Sequence, residues 1–139
     1  MTATDLPLRL ASAFERADIA ALVSLYADDA TFHHPFFPEG LRGREAIAAA
    51  EGPLFEAFSD IRYTIHKVVE EPGRLAIEWS VQATHTAPMP LPDGSSLPTT
   101  GITIAQPGCE VLYLDADGLI AEDFRYQDAV GMLAQLGLA

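Results

Sequence analysis

In the stretch LPLRLASAFERA, Leu6, Leu10 and Phe14 recur every four residues, and Pro7 sits in the first turn, where a missing N–H is tolerated. A helix is expected to follow Asp5. A second apolar stripe, Ile19, Leu22, Val23 and Tyr26, keeps the i, i+3, i+4, i+7 spacing behind a candidate cap at Asp18, and predicts a helix that stops near Asp28. ATFHHP then brings a β-branched and an aromatic residue, closed by a proline that disfavours helix at His34, so a brief strand is expected. After FFPEGLRG, the run REAIAAAEGPLFEAF returns to helical spacing, with Gly52 and Pro53 expected to kink or divide it.

From residue 60 the period changes to two. Ile61, Tyr63, Ile65 and Val69 share one side of IRYTIHKVVEE, and after the turn EPGR the segment LAIEWSVQATHT puts Leu75, Ile77, Trp79, Val81, Ala83 and His85 on one face. APMPLPDGSSLPTT is long and rich in proline, glycine and serine, as befits a lid or rim. GCEVLYLD and LIAEDFRYQD, joined by DADG, predict a hairpin, and AVGMLAQLGLA predicts a short final helix with Asp128 as its cap. Strict alternation without a bulge gives the inward list Phe32, His34, Tyr63, Trp79, His85, Glu110, Phe124, Tyr126 and Asp128. His33 and His66 fall on solvated faces.

Helices followed by a run of mostly antiparallel strands imply an α+β layer fold, a curved sheet wrapped around helices. The 139 residues suit one domain, residues 1–139, and the 49% hydrophobic fraction suits a single sizeable core. A formal net charge of −12 would repel nucleic-acid phosphates and anionic lipid headgroups, so neither is expected as a partner. The N-terminal residues lack the pattern of a signal peptide and no apolar run is long enough for a membrane span, which gives a cytoplasmic expectation. Cys109 is the only cysteine and is assigned to packing.

Four ordered segments carry a family resemblance: LYADDATF after the two-helix start, GREAI opening the next helix, THTAPMPLPDGSSLPTTG, and DADGLIAEDFRYQDAVGMLAQLG. Together they resemble the SnoaL-like polyketide cyclases of the nuclear transport factor 2 and ketosteroid isomerase superfamily. The resemblance spans essentially the whole chain and implies a cone-shaped α+β barrel with one deep pocket. That cone serves isomerases, cyclases, epoxide hydrolases, dehydratases and non-enzymatic binding modules. Laid over ketosteroid isomerases, His34 falls where those enzymes carry an aspartate base and Glu110 near their oxyanion-stabilising acid, while Leu10 takes the place of their catalytic tyrosine. From the cyclases, the resemblance implies one aspartate as general acid and base in an aldol ring closure. Asp128 in YQDAVGML is the matching residue, with His34 orienting substrate or relaying a proton.

The chemistry expected is therefore acid–base catalysis without a cofactor. A carboxylic acid walled by Trp79, Phe124 and Tyr126 would have its pKa raised toward the range useful for proton transfer. Phe32, Tyr63, Trp79, His85, Phe124 and Tyr126 are the expected substrate-binding residues, for a mostly apolar ligand with a few oxygens, such as a polyketide, steroid or terpenoid. With no arginine or lysine on the inward list, anionic ligands should fail. His34, His85 and Glu110 could in principle ligate zinc or iron, but no HxH or HExxH spacing supports it and no metal is assigned. A non-catalytic small-molecule binding or dimerisation module fits the same pattern. A homodimer is expected through the outer sheet face, where Thr64, His66, Ser80, Gln82 and Thr84 lie.

Overall fold

In the computed structural model, which describes residues 5–91 and 93–138, the first helical hairpin is α1 (Leu6–Glu15) and α2 (Ile19–Val23). Asp18 caps α2 by accepting the N–H of Ala21 at 3.0 Å. This helix ends five residues earlier than its apolar stripe predicts. Tyr26 opens β1 (Tyr26–His34) instead, because the backbone from Leu25 onward pairs with the C-terminal strand: the N–H of Ile120 donates to the Leu25 carbonyl at 2.9 Å. Tertiary pairing outweighs local period here.

An edge strand, β2 (Phe37–Arg42), was not foreseen in FFPEGLRG; Pro38 is tolerated there because an edge leaves one side of the backbone unpaired. Next comes α3 (Arg44–Ala57), which continues through Gly52 and Pro53, so that of the expected kink or division the division does not occur. Burial of Ile47, Glu51 and Phe55 at four-residue spacing ties both halves of the helix to the core. The long hairpin β3 (Phe58–Glu71) and β4 (Arg74–His85) follows, then a two-stranded ribbon, β5 (Met89–Pro90) with β6 (Ser96–Leu97), inside the proline-rich segment. β7 (Thr103–Leu114), β8 (Ile120–Gln127) and α4 (Ala129–Gln135) complete the fold.

The large sheet has the order β2-β1-β8-β7-β4-β3, antiparallel except for the parallel β1–β8 pair. The α+β class is as expected; the sheet stays open between the edges β2 and β3 rather than closing into a barrel. Its concave side and the helices share a core that includes Leu6, Leu10, Leu22, Phe32, Ile47, Ile77, Trp79, Leu112 and Ile120. A second cluster, around Phe58, Ala83, Met89, Ile104, Met132 and Leu136, fastens α4 and the β5–β6 ribbon to the other end. At Gly108 the chain has no choice of side chain, since a Cβ there would lie 2.4 Å from the Trp79 ring on the paired strand.

Alternation holds in β4, where Leu75, Ile77, Trp79, Ala83 and His85 are all buried. It fails twice elsewhere. A register shift between Ile65 and Lys67 turns the far end of β3, and Val69 is 71% exposed. In β8, Glu122 pairs with Tyr113 but Ile120 pairs with Leu114, so one extra residue, Ala121, is accommodated as a bulge. From there the faces are exchanged: Asp123 and Arg125 turn in, Phe124 and Tyr126 turn out.

Candidate active site

Two cavities lie between α3 and the concave face. The larger, about 470 Å³, is bounded by Ala46, Ala49, Ala50, Pro53 and Leu54 of α3, by Phe36, Phe37 and Leu41, by Met89, Pro90 and Leu91, and by Leu133 of α4. The alanine run of α3 is what leaves the space: small side chains on a helix held at a fixed distance by Ile47 and Phe55 cannot fill it. Among the described residues, His34 is the only polar side chain in this lining. Its Nδ1 accepts the N–H of Phe36 at 3.0 Å, which leaves the proton of the neutral ring on Nε2. Burial, reinforced by the positive charge of Arg125, lowers the His34 pKa to about 3. At neutral pH His34 is thus an uncharged N–H donor.

The smaller cavity, about 90 Å³, shares Leu54 as a wall. Aromatic side chains, Phe14, Phe55, Phe58 and Trp79, surround much of it, and Glu51, Gln106 and Arg125 supply its polar edge. Arg125 is the hub of a buried network. Its Nη1 meets Glu51 Oε1 at 2.7 Å and its Nε donates to Glu110 Oε1 at 2.7 Å, while the guanidinium lies 4.9 Å from the centre of the Phe32 ring and 5.5 Å from that of Phe14. Behind it the Tyr26 hydroxyl donates to Asp123 Oδ2 at 2.5 Å.

Three acids around one arginine cannot all be charged cheaply. Burial, then the charge of Glu110, pushes the Asp123 carboxyl well above the usual range, which favours its protonated form. Burial also raises Glu51, against the opposing pull of Arg125. For Arg125 itself burial disfavours the charge, and Glu110, Glu51 and Asp123 more than offset it. Burial likewise raises the phenols of Tyr26 and Tyr63. Among the described residues, Glu51 Oε2 and Trp79 Nε1 are buried without a hydrogen-bond partner.

The structure brings together some of the residues singled out from sequence and separates others. His34 lines the larger cavity and Trp79 the smaller; Phe32 and Glu110 pack directly on Arg125. Tyr63 stands behind Trp79, with ring centres 5.7 Å apart. His85 is fully buried but lines neither cavity: its Nδ1 accepts the N–H of Thr100 at 3.1 Å and fixes the segment entering β7. Phe124, Tyr126 and Asp128 were expected inward and are not, because of the bulge at Ala121. Phe124 stacks on His33 at 4.3 Å, which also removes His33 from the solvated class, and Tyr126 is 59% exposed. Exposed Asp128 caps α4, accepting the N–H of Gly131 at 2.8 Å. Arg125, on the inward face after all, corrects the expectation that no cation lies there.

Glu51, Arg125, Asp123 and Tyr26 escaped sequence reasoning. For Glu51 a signal existed, since it sits four residues from both Ile47 and Phe55 on the buried stripe of α3. Among the described residues no group of three metal-ligating side chains converges, and no helix is long and apolar enough to cross a membrane.

The fold is shared with a solved NTF2-like protein from Exiguobacterium, 24% identical over 88% of this chain and 98% of that one, with a TM-score of 0.65. The chain belongs to the SnoaL-like domain family, whose model matches residues 8–131. Its sequence is 28% identical to IdmH, a candidate polyketide cyclase from Streptomyces antibioticus, over 96% of this chain and 97% of that one, with a TM-score of 0.75. TsrD from Streptomyces laurentii superposes with a TM-score of 0.81 at 20% identity, covering 98% and 95% of the two chains. A ketosteroid isomerase-like protein from Catenulispora acidiphila, in complex with trimethylamine, gives 0.76 at 21% identity over 100% and 96%. No curated protein matches the sequence.

Proposed function

We propose that this protein is a cofactor-independent acid–base enzyme that promotes aldol-type cyclisation or isomerisation of an apolar, oxygenated small molecule of polyketide, steroid or terpenoid character. One observation carries the reading: a cavity of about 470 Å³ whose only polar side chain, among the described residues, is a neutral histidine. Such reactions begin when a proton leaves the carbon next to a carbonyl and negative charge builds on the oxygen. His34 Nε2–H, fixed by the Phe36 amide on its other nitrogen, stabilises that oxygen without first having to lose a proton. The proton goes to the carboxylates around Arg125, of which Glu51 reaches the wall of the smaller cavity and Glu110 holds the arginine. Asp128 takes no part. Family likeness to candidate polyketide cyclases supports the same reaction class.

Strong anions are poor ligands in this reading, because Arg125, the cation among the described residues lining the two cavities, is already matched by Glu51 and Glu110. The protein is further proposed to be a cytoplasmic homodimer that pairs through the face carrying Thr64, His66, Ser80, Gln82 and Thr84, where His66 and Ser80 are bonded at 2.8 Å.

The test is exchange of the α-hydrogens of 2-tetralone and of a 3-ketosteroid in deuterated buffer, followed by NMR, alongside binding read from Trp79 fluorescence. Catalysed exchange that falls by about 100-fold in His34→Leu is the expected result. Binding of both ketones with no exchange above the buffer rate would instead establish a non-catalytic binding module, a reading favoured by the absence of any carboxylate from the larger cavity. Saturable binding of a sugar phosphate but of neither ketone would overturn the pocket assignment.

A further inference from the structure

The smaller cavity has a chemical asymmetry of its own. Glu51 is 3% exposed, and its Oε1 is held by Arg125, yet Oε2 has no partner. Trp79 is 4% exposed and its Nε1–H is equally unpaired. Both residues line the same cavity, whose wall is otherwise apolar apart from Gln106 and Arg125. A buried acceptor and a buried donor each left unpaired cost on the order of 1–3 kcal/mol, a penalty that a ligand group can relieve. A hydroxyl suits the pair, because it donates to the carboxylate oxygen and accepts from the indole; a carbonyl or ether oxygen can serve only the indole.

We propose that the smaller cavity is a subsite that recognises a hydroxyl group on the ligand, through Glu51 Oε2 and Trp79 Nε1, while the apolar body of the ligand occupies the larger cavity. The inference rests on the reading of the larger cavity as the ligand site. Size supports the division: about 90 Å³ is less than the roughly 150 Å³ of an apolar cavity known to accept benzene, so it admits the end of a ring and its substituent, not a ring system. Leu54, common to both linings, is the wall past which the hydroxylated end must reach. The subsite makes the protein selective for phenolic, enolic or alcoholic members of its substrate class.

Calorimetric titration of the full chain with 2-naphthol and with 2-methylnaphthalene tests it, since hydroxyl and methyl differ little in size. Apolar burial alone favours the methyl compound, so the two explanations predict opposite signs. With a charge-assisted hydrogen bond to Glu51, the naphthol binds about tenfold more tightly. In Glu51→Gln, whose amide oxygen can keep the Arg125 contact and whose amide nitrogen then faces the cavity, that advantage falls below about threefold. The wild-type comparison stands even if the variant fails to fold. Equal or tighter binding of 2-methylnaphthalene to the wild type overturns the subsite but leaves the larger cavity as a ligand site. Full retention of the naphthol preference in folded Glu51→Gln also overturns it, and binding of neither compound removes both readings.

Discussion

The two cavities are built by the same helix against the same sheet, yet they hold opposite chemistry. On the side of Ala46, Ala49 and Ala50, α3 presents methyl groups to an apolar space and one uncharged imidazole. On the side of Glu51 it enters a buried cluster of five ionisable groups, in which Arg125 holds Glu51 and Glu110 while Tyr26 bonds Asp123. The contrast separates two tasks. Volume for a ligand comes from residues that contribute little to the fold individually, whereas the charged cluster ties α3, β7 and β8 together and fixes the shape of the wall the ligand meets. The first region should tolerate substitution and the second should not.

The largest effect is expected at Arg125. Arg125→Leu leaves Glu51 and Glu110 buried without a counter-charge, and breaking one side of a buried ion pair costs about 3–5 kcal/mol. Urea denaturation should show that loss at pH 7. Lower pH should recover part of it, because both acids can then take up protons. By contrast, Ala50→Phe, which fills the larger cavity from the same helix, should weaken binding of 2-tetralone about tenfold or more while shifting stability by less than about 1 kcal/mol. If the two substitutions destabilise equally, the division between a permissive region and a tying region fails.

A second consequence is a pair of opposing pH slopes. The His34 pKa is about 3 in the fold against an ordinary 6.5. The unfolded chain therefore binds the extra proton between those values and the fold does not, so this contribution to stability is complete above pH 6.5 and is lost as pH falls toward 3. Asp123 has the reverse sign. Its folded pKa lies well above 3.8, so its contribution is complete below 3.8 and is lost as pH rises through the folded value. Relative to the wild type, His34→Asn should remove the rise in stability between pH 3 and 6.5. Asp123→Asn should remove the decline above pH 3.8. Stability curves of the two variants that tilt the same way would show that one of the two protonation states is misassigned.

These groups also mark how far the sequence could be read. The class of fold, the inward side of β4, the cap at Asp18 and the place of His34 were all legible, because each depends on a local period or a local hydrogen bond. The polar hub was not. Asp123 and Arg125 share a strand face rich in charge, which alternation assigns to solvent; one extra residue at Ala121 reverses that face, and nothing in LIAEDFRYQD announces the bulge. The compensating acids, Glu51 and Glu110, come from a helix and another strand, so the arginine looks unpaired until the chain is folded. Tyr26 was misread for the converse reason, as its helical spacing was genuine but strand pairing with β8 took precedence. Glu51 alone carried a warning, as a single acid on a stripe that is otherwise buried.

The smallest expected effect concerns Asp128, and it separates the two faces of β8 directly. Its carboxylate, exposed and bonded to the Gly131 amide, occupies the N-cap of a seven-residue helix. Gly131 is part of the same device, since a Cβ there would fall 2.2 Å from Asp128 Oδ2. Asp128→Ala should therefore cost about 1 kcal/mol, and Asp128→Asn no more than a few tenths, because asparagine caps nearly as well. Neither change should alter ketone binding or α-hydrogen exchange, as the residue lines neither cavity. Urea midpoints and the exchange assay on the same two variants decide the matter. Loss of exchange in Asp128→Asn at unchanged stability would place the reacting proton at the end of β8 and displace the cluster around Arg125 from the proposed reaction. Unchanged exchange, with only the alanine variant weakened, leaves the acid–base chemistry on the concave side of the sheet and gives Asp128 the capping role alone.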